Sequence, residues 1–401
     1  MSVSVQPHEP DDRRTQLLDR RRLRKMAKSA HAYVRGNTPK FYEWLAELNG
    51  SVGVPDGPPV WICGDCHVGN LGPLAGADDR VDIQIRDLDQ TVMGNPAHDL
   101  IRLALSLQSA ARGSDLPGVA AAHIVEAMID GYSRALEGEG SNGKHGAPDV
   151  VRSVRKRAQA RKWRHLAEDR IDGPDPKIPL GKRFWPLEEA ERVGLEHLFV
   201  QEEVRKLIVS LSCRDDDEEV RLVDAAYWVK GCSSLGSLRF AVLAQIGSGK
   251  RRHFALVDLK EAVAALPPQA RGRHAWKGYA ERVVAGAKAL SPNLGERMMA
   301  VDLCGRPVVL RELRPQDLKI EVNQFTRPEA IRAASYLAFV VGRAHARQMD
   351  EATRCAWHGQ LNRESLGNLD APPWLWRSVL QLAARHEAGY LEHCRRYALS
   401  R

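Results

Sequence analysis

The chain has 401 residues, 43% of them hydrophobic, and its 59 Lys and Arg against 51 Asp and Glu give a net charge of +8 and a pI near 9.2. That length and apolar content suffice for one large or two moderate cores and suggest two or three domains. With no apolar run of about eighteen residues, no charged-then-apolar leader, and seven cysteines without framework spacing, the sequence excludes a transmembrane helix and a disulfide scaffold and points to a soluble, cytoplasmic protein with reduced thiols.

In chain order, residues 1 to about 20 read as a mobile lead of basic and acidic residues, and Arg21 to Leu48 as helical with Tyr33, Phe41, Trp44 and Leu45 on a core face. Val60-Trp61-Ile62 is a short apolar strand. Val81, Ile83 and Ile85 alternate with polar residues, a strand that delivers Asp87 on its buried side. Asn95-Pro96 caps a helix carrying Leu100, Leu103, Ala104 and Leu107, with Asp99 in its first turn. Gly138 to Pro148 is linker-like and separates two helices, and the acidic run Asp215 to Glu219 marks a passage between lobes.

Further on, Tyr227-Trp228-Val229 and the alternating Leu238, Phe240 and Val242 read as a hairpin around the turn Lys230 to Ser237, which carries Gly231, Ser233, Ser234 and Gly236. The next strand, His253 to Leu259, ends at Lys260-Glu261. A helix over Tyr279 to Lys288 and a strand over Pro307 to Arg314 follow. Thr326 to Glu329 forms a capping box, with Pro328 in the first turn, for an apolar helix running to about Asp350. Its His345 is read as a satisfied core histidine, and Trp61 and Trp276 as core residues. The basic stretch Arg152 to Arg164 is either a solvated helix face or a dock for nucleic acid or another acidic partner.

The chemistry concentrates in Gly64-Asp65-Cys66-His67-Val68-Gly69-Asn70, followed by Asp87-Leu88-Asp89. Phosphoryl transfer needs a carboxylate to accept the proton of the attacking hydroxyl, an Asn five positions later on one magnesium, and a second Asp at a strand end on another. Asp65, Asn70 and Asp87 fit those places, and Asp99 is placed to brace the loop. His67 is the second catalytic candidate, more by orienting the loop than by chemistry. Asp65 and Asn70 would otherwise only bond backbone groups of a turn. Cys63 to His67 also fits a haem-attachment or redox C-x-x-C pattern, but neither accounts for Asn70, Asp87, Asp99 and Lys260; a zinc site lacks a second ligand pair.

The order G-D-x-H-x-x-N, D-L-D and then Asp99-Leu100 resembles the aminoglycoside and choline phosphotransferase branch of the protein-kinase-like fold. It looks closest to a bacterial family of unknown function near those kinases. One departure is Cys63, where the small-molecule kinases usually have His. The resemblance implies Asp65 as base, Asn70 and Asp87 as Mg2+ ligands, Asp99 as a structural residue, and Lys260 as the lysine that pairs the α and β phosphates of ATP. It further implies Gly231, Ser233, Ser234 and Gly236 over those phosphates and Glu281 as the carboxylate partner of Lys260. Because the glycine-rich turn and lysine follow the catalytic loop, the expected fold is α+β, two-lobed and circularly permuted. Residues 1–220 would begin the helical large lobe, 221–315 form the small β-rich lobe, and 316–401 complete the large lobe. The expected activity is Mg-ATP-dependent transfer to a hydroxyl, small-molecule acceptors favoured. A silent nucleotide-binding scaffold for an acidic partner and a nucleotidyltransferase stand as alternatives.

Overall fold

The computed structural model describes residues 12–112, 118–138, 147–162, 176–211, 218–232, 234–249, 252–270, 276, 278–318, 326–362 and 371–397. Three helices open it: α1 (Asp12–Met26), α2 (Ala30–Gly36) and α3 (Thr38–Val52). The expected lead is therefore helical from Asp12, and the stretch to Leu48, read as helical, is divided at two breaks. Ser29 caps α2 by accepting from the Ala32 N–H, and Pro39 in the first turn of α3 sets a new start after Asn37. Phe41 and Leu45 are buried as expected, and Trp44 partly so.

Two small antiparallel ribbons follow. β1 (Val60–Ile62) pairs with β4 (Val92–Gly94), and between them β2 (Leu71–Ala75) pairs with β3 (Val81–Ile85). The ribbons leave Cys63 to Asn70 and Arg86 to Thr91 as adjacent loops. Helices α4 (Pro96–Arg112), α5 (Gly118–Leu136) and α6 (Asp149–Ala160) come next. On α6 the buried residues are Val151, Val154 and Ala158, so Arg152, Lys156 and Arg157 form a solvated face. Trp163 and Arg164 lie outside the described residues.

The second half carries a six-stranded antiparallel sheet in the order β5-β6-β7-β8-β10-β9. Its strands are β5 (Phe184–Trp185), β6 (Val220–Trp228), β7 (Arg239–Ile246), β8 (His253–Glu261), β9 (Met298–Leu303) and β10 (Arg306–Leu313). Helices α7 (Glu189–Phe199) and α8 (Glu202–Val209) precede β6, while α9 (Tyr279–Leu290) and the short α10 (Pro292–Gly295) connect β8 to β9. The chain closes with α11 (Arg327–Ala346), α12 (Glu351–Asn362) and α13 (Pro373–Tyr397). The capping box of Thr326 and Glu329 is formed, but the helix ends at Ala346, short of the expected Asp350.

The fold is thus mixed helix and sheet, α+β as expected. One large apolar cluster joins α3 to α5, the β2–β3 ribbon, α9, α11 and α13, while Val60, Ile62 and Val92 of the β1–β4 ribbon form a small cluster of their own; another, under the sheet, joins α7 and α8 to β6, β7, β8 and β10. Among the described residues no helix is long and apolar enough to cross a membrane. Trp276, expected in the core, is 44% exposed and leans on Trp61, with ring centroids 5.4 Å apart.

Candidate functional site

The loop between β1 and β2 is held from behind by α4. Asp99, fully buried in that helix's first turn, accepts from the Cys63 N–H at 2.7 Å and the Gly64 N–H at 2.9 Å. His345 of α11 lies 3.2 Å from the same carboxylate through Nε2, and its Nδ1 lies 2.9 Å from the Tyr132 hydroxyl. Asp99 therefore braces the loop as expected, and His345 is satisfied. Gly64 takes a left-handed φ of 74°, and a Cβ there would collide with the carbonyl of Gln90, so the loop passes close to the Asp87 segment only because this position is glycine.

That brace sets the next residue. Asp65 is buried and bonded by Arg102 of α4, whose Nε donates to Oδ1 at 2.9 Å. Arg102, itself fully buried, also donates to the Val34 carbonyl at 2.8 Å. Burial pushes the Asp65 carboxyl up, and the Arg102 charge only partly offsets it. Asn70 ends a short 3-10 turn (Val68–Asn70) and donates its Nδ2 to the Asp65 carbonyl at 3.0 Å, which leaves its amide oxygen for another partner. His67 is buried with Nε2 3.9 Å from Asp65 Oδ2, and its Nδ1 has no hydrogen-bond partner among the described residues. It donates to no loop carbonyl, contrary to the expected orienting bond. Burial, with the charges of Arg35 and Arg102, holds it well below the usual histidine range, so it is neutral.

Asp87 lies two residues beyond β3, and instead of the expected buried placement it leaves 47% of its side chain exposed. Burial opposes its charge, but Lys260, Arg311 and Arg239 hold it well below the usual carboxylate range. Lys260 of β8 forms a close pair with Asp89 and lies 3.5 Å from Asp87. Beneath it, Arg239 makes a bidentate pair with buried Asp258 at 2.8 and 2.6 Å, and Arg311 donates to the same Asp258 carboxylate at 3.0 Å. These arginines crowd positive charge under the sheet end that faces Asp87.

One cavity of about 440 Å³ gathers Asp65, Asn70, Asp87 and Asp89, with Arg22, Met26, His393 and Tyr397 among its walls. Lys260 lines a smaller adjoining space that shares Asp87 and Asp89. None of the described residues of the glycine turn between β6 and β7 lines the cavity. Gly231 and Gly236 do take the left-handed φ values, 95° and 106°, that a tight turn requires, and the Gly231 carbonyl accepts from Lys25 of α1 at 2.8 Å. Ser234 belongs to the same turn, and Ser233 lies outside the described residues.

Glu281 is not the partner of Lys260. It is exposed on the first turn of α9, and the next residue, Arg282, faces inward because successive helical positions differ by about 100°. Arg282 donates to the Asp89 carbonyl at 2.9 Å, to the Val263 carbonyl at 2.8 Å and, closely, to the Thr91 carbonyl. The helix thus fixes the Asp87-Leu88-Asp89 loop through a cation, and Asp89 takes the role expected of Glu281. Arg102, Arg239, Asp258 and Arg311 had no local motif to mark them. Asp89 did, standing in D-L-D.

Cys63, Cys66 and Asp99 offer three ligand atoms within 4.8 Å of one another, all buried. Both Asp99 oxygens are already used on backbone amides, and the Cys63 thiol is pushed far up by its bond to Cys66 and by burial. The cluster therefore reads as loop packing, with Cys66 filling a small buried position.

Fold and site together define an α+β protein with a carboxylate-lined cleft between a braced loop and the end of an antiparallel sheet. Residues 14–396, nearly the whole chain, match the family described as uncharacterized protein conserved in bacteria (DUF2252), and the chain belongs to that family. No curated protein and no solved structure matches the sequence.

Proposed function

We propose that the protein is a Mg-ATP-dependent phosphotransferase of a circularly permuted, kinase-like architecture, acting on a hydroxyl of a small acceptor. The observation that carries this reading is the convergence of Asp65, Asn70, Asp87 and Asp89 on one cavity while Lys260 reaches Asp87 and Asp89 from the sheet. In the two-lobed reading, the sheet with α7 and α8 packed under it is the small lobe, and the large lobe is built on the first core, which includes the apolar residues of α9.

The donor set suits magnesium. Asp87 is ionised and half-exposed to the cleft, and Asn70 keeps its amide oxygen after spending Nδ2 on Asp65, so both offer hard oxygen ligands. A bound magnesium would neutralise phosphate charge. Asp65, positioned by Arg102 and raised by burial toward the range of a useful base, would take the acceptor proton. Lys260 would exchange Asp89 for phosphate oxygens, and Arg311 and Arg239 would add positive potential behind it. The cavity wall formed by Arg22, Met26, His393 and Tyr397 is where the acceptor would lie.

The test is incubation with ATP, magnesium and a panel of hydroxyl-bearing metabolites and antibiotics, with product masses read directly. A phosphoryl increment on an acceptor, absent in Asp65→Asn, supports the reading. An adenylyl increment would convert it to nucleotidyl transfer, and no product despite tight nucleotide binding would convert it to a silent binding scaffold.

A further inference from the structure

We propose that Arg35, at the end of α2, is the oxyanion-binding residue for the transferred phosphoryl group; this rests on the nucleotide-site reading above. Its guanidinium lies flat against the catalytic loop: a Cβ on Gly69, the residue before Asn70, would stand 2.9 Å from Cζ and from Nη2. On the other side, the glycine turn presses on α2, since a Cβ on Gly36 would come within 2.9 Å of Cys232 Sγ. Arg35 therefore lies where the loop carrying Asp65 and Asn70 meets the end of α2 and the turn containing Cys232. Asp65, Cys232 and Asp87 are the groups whose charge opposes the effect of burial on Arg35, which fixes the same neighbourhood.

Half-buried Arg35 differs from the other arginines packed inside this molecule in having neither a counterion nor a hydrogen-bond acceptor among the described residues; Arg86 and Arg282 also lack an ion pair there but donate to backbone carbonyls. Arg102 has Asp65, Arg239 has Asp258, and Arg297 has Asp317 at 3.1 Å. Among the described residues Arg35 has no ion pair, and its buried Nε has no hydrogen-bond partner. A desolvated, unpaired guanidinium is costly to the folded protein. A phosphate oxyanion matches its planar fork of donors and removes that cost when bound. Its contact with Gly69, in the loop between Asp65 and Asn70, assigns it to the terminal phosphate, the group whose charge shifts during transfer.

The test compares MgATP and MgADP affinities by calorimetry for wild type, Arg35→Met and Arg35→Lys, with melting temperatures of the nucleotide-free proteins. The expected result for Arg35→Met is MgATP binding weakened by at least about tenfold with MgADP changed by less than about twofold. Arg35→Lys should fall between the two for MgATP. The nucleotide-free Arg35→Met should melt no lower than wild type, because an uncompensated charge has been removed. Equal MgATP affinity in wild type and Arg35→Met would overturn the assignment while leaving the nucleotide site standing. A lowered melting temperature with both nucleotides weakened alike would also overturn it, showing a structural arginine. A wild type that binds neither nucleotide would remove the nucleotide site itself and Arg35's role with it.

Discussion

The two sides of the cleft are held by different kinds of interaction. The loop side rests on bonds to groups that cannot leave: Asp99 on two backbone amides, His345 behind it, and Arg102 clamping Asp65, all withdrawn from solvent. The sheet side rests on the pairing of Lys260 with Asp89 and Asp87, two carboxylates that open onto cavities and can be exchanged for other ligands. A site built this way has a fixed carboxylate facing a cation that is free to rearrange. Positioning belongs to the first half of the chain and charge recruitment to the second.

Substitutions should separate the two sides. The largest effect is expected for Asp65→Asn, which keeps the shape of the loop but lowers turnover by about 10²- to 10⁴-fold with nucleotide affinity unchanged; unaltered turnover would remove the base. Asp99→Ala should destabilise by about 3–5 kcal/mol in urea unfolding, because it strands two backbone N–H groups and a buried histidine. On the sheet side Lys260→Ala should cost far less stability, since its partners can reach solvent, and should instead weaken nucleotide binding. If the two variants were equally unstable, the contrast between fixed and exchangeable contacts would fail.

Smaller effects sharpen the picture. His98 and His386 are buried, and burial lowers them to about 4 and about 3. Unfolding lets each bind a proton below its free value of about 6.5, so the unfolded state carries more protons there. Stability is therefore full above pH 6.5 or so and falls as the pH drops toward 4, by at most about 1.4 kcal/mol per pH unit for each histidine. Denaturation midpoints of His386→Phe across that window should show a shallower acid slope, and an unchanged slope would contradict its buried, neutral state. The smallest change is expected for Lys156→Gln with Arg157→Gln on the open face of α6, within about 0.5 kcal/mol of wild-type stability. Lost affinity for polyanions in that double variant would favour a dock over a solvated face.

Local patterns carried much of this site into view. G-D-x-H-x-x-N, D-L-D and the strand ending at Lys260 are contiguous, and each fell on the element expected for it. The partners across the cleft were not legible in the same way. Arg102 reads as an ordinary polar position on an apolar helix, and only the approach of α4 to the loop turns it onto Asp65. Glu281 and Arg282 are neighbours in sequence, and which of them faces the loop depends on the phase of α9. Likewise the breaks at Ser29 and Asn37 are a competition between helix propensity and capping, which the Ser29 cap and Pro39 settle locally.

The most direct measurement is calorimetric titration of ATP with and without magnesium into wild type, Lys260→Ala and Asp87→Asn. Magnesium-dependent binding by wild type that weakens in Lys260→Ala and loses its magnesium dependence in Asp87→Asn is the predicted result. Absence of binding by the folded wild type would contradict the assignment of this cleft to nucleotide.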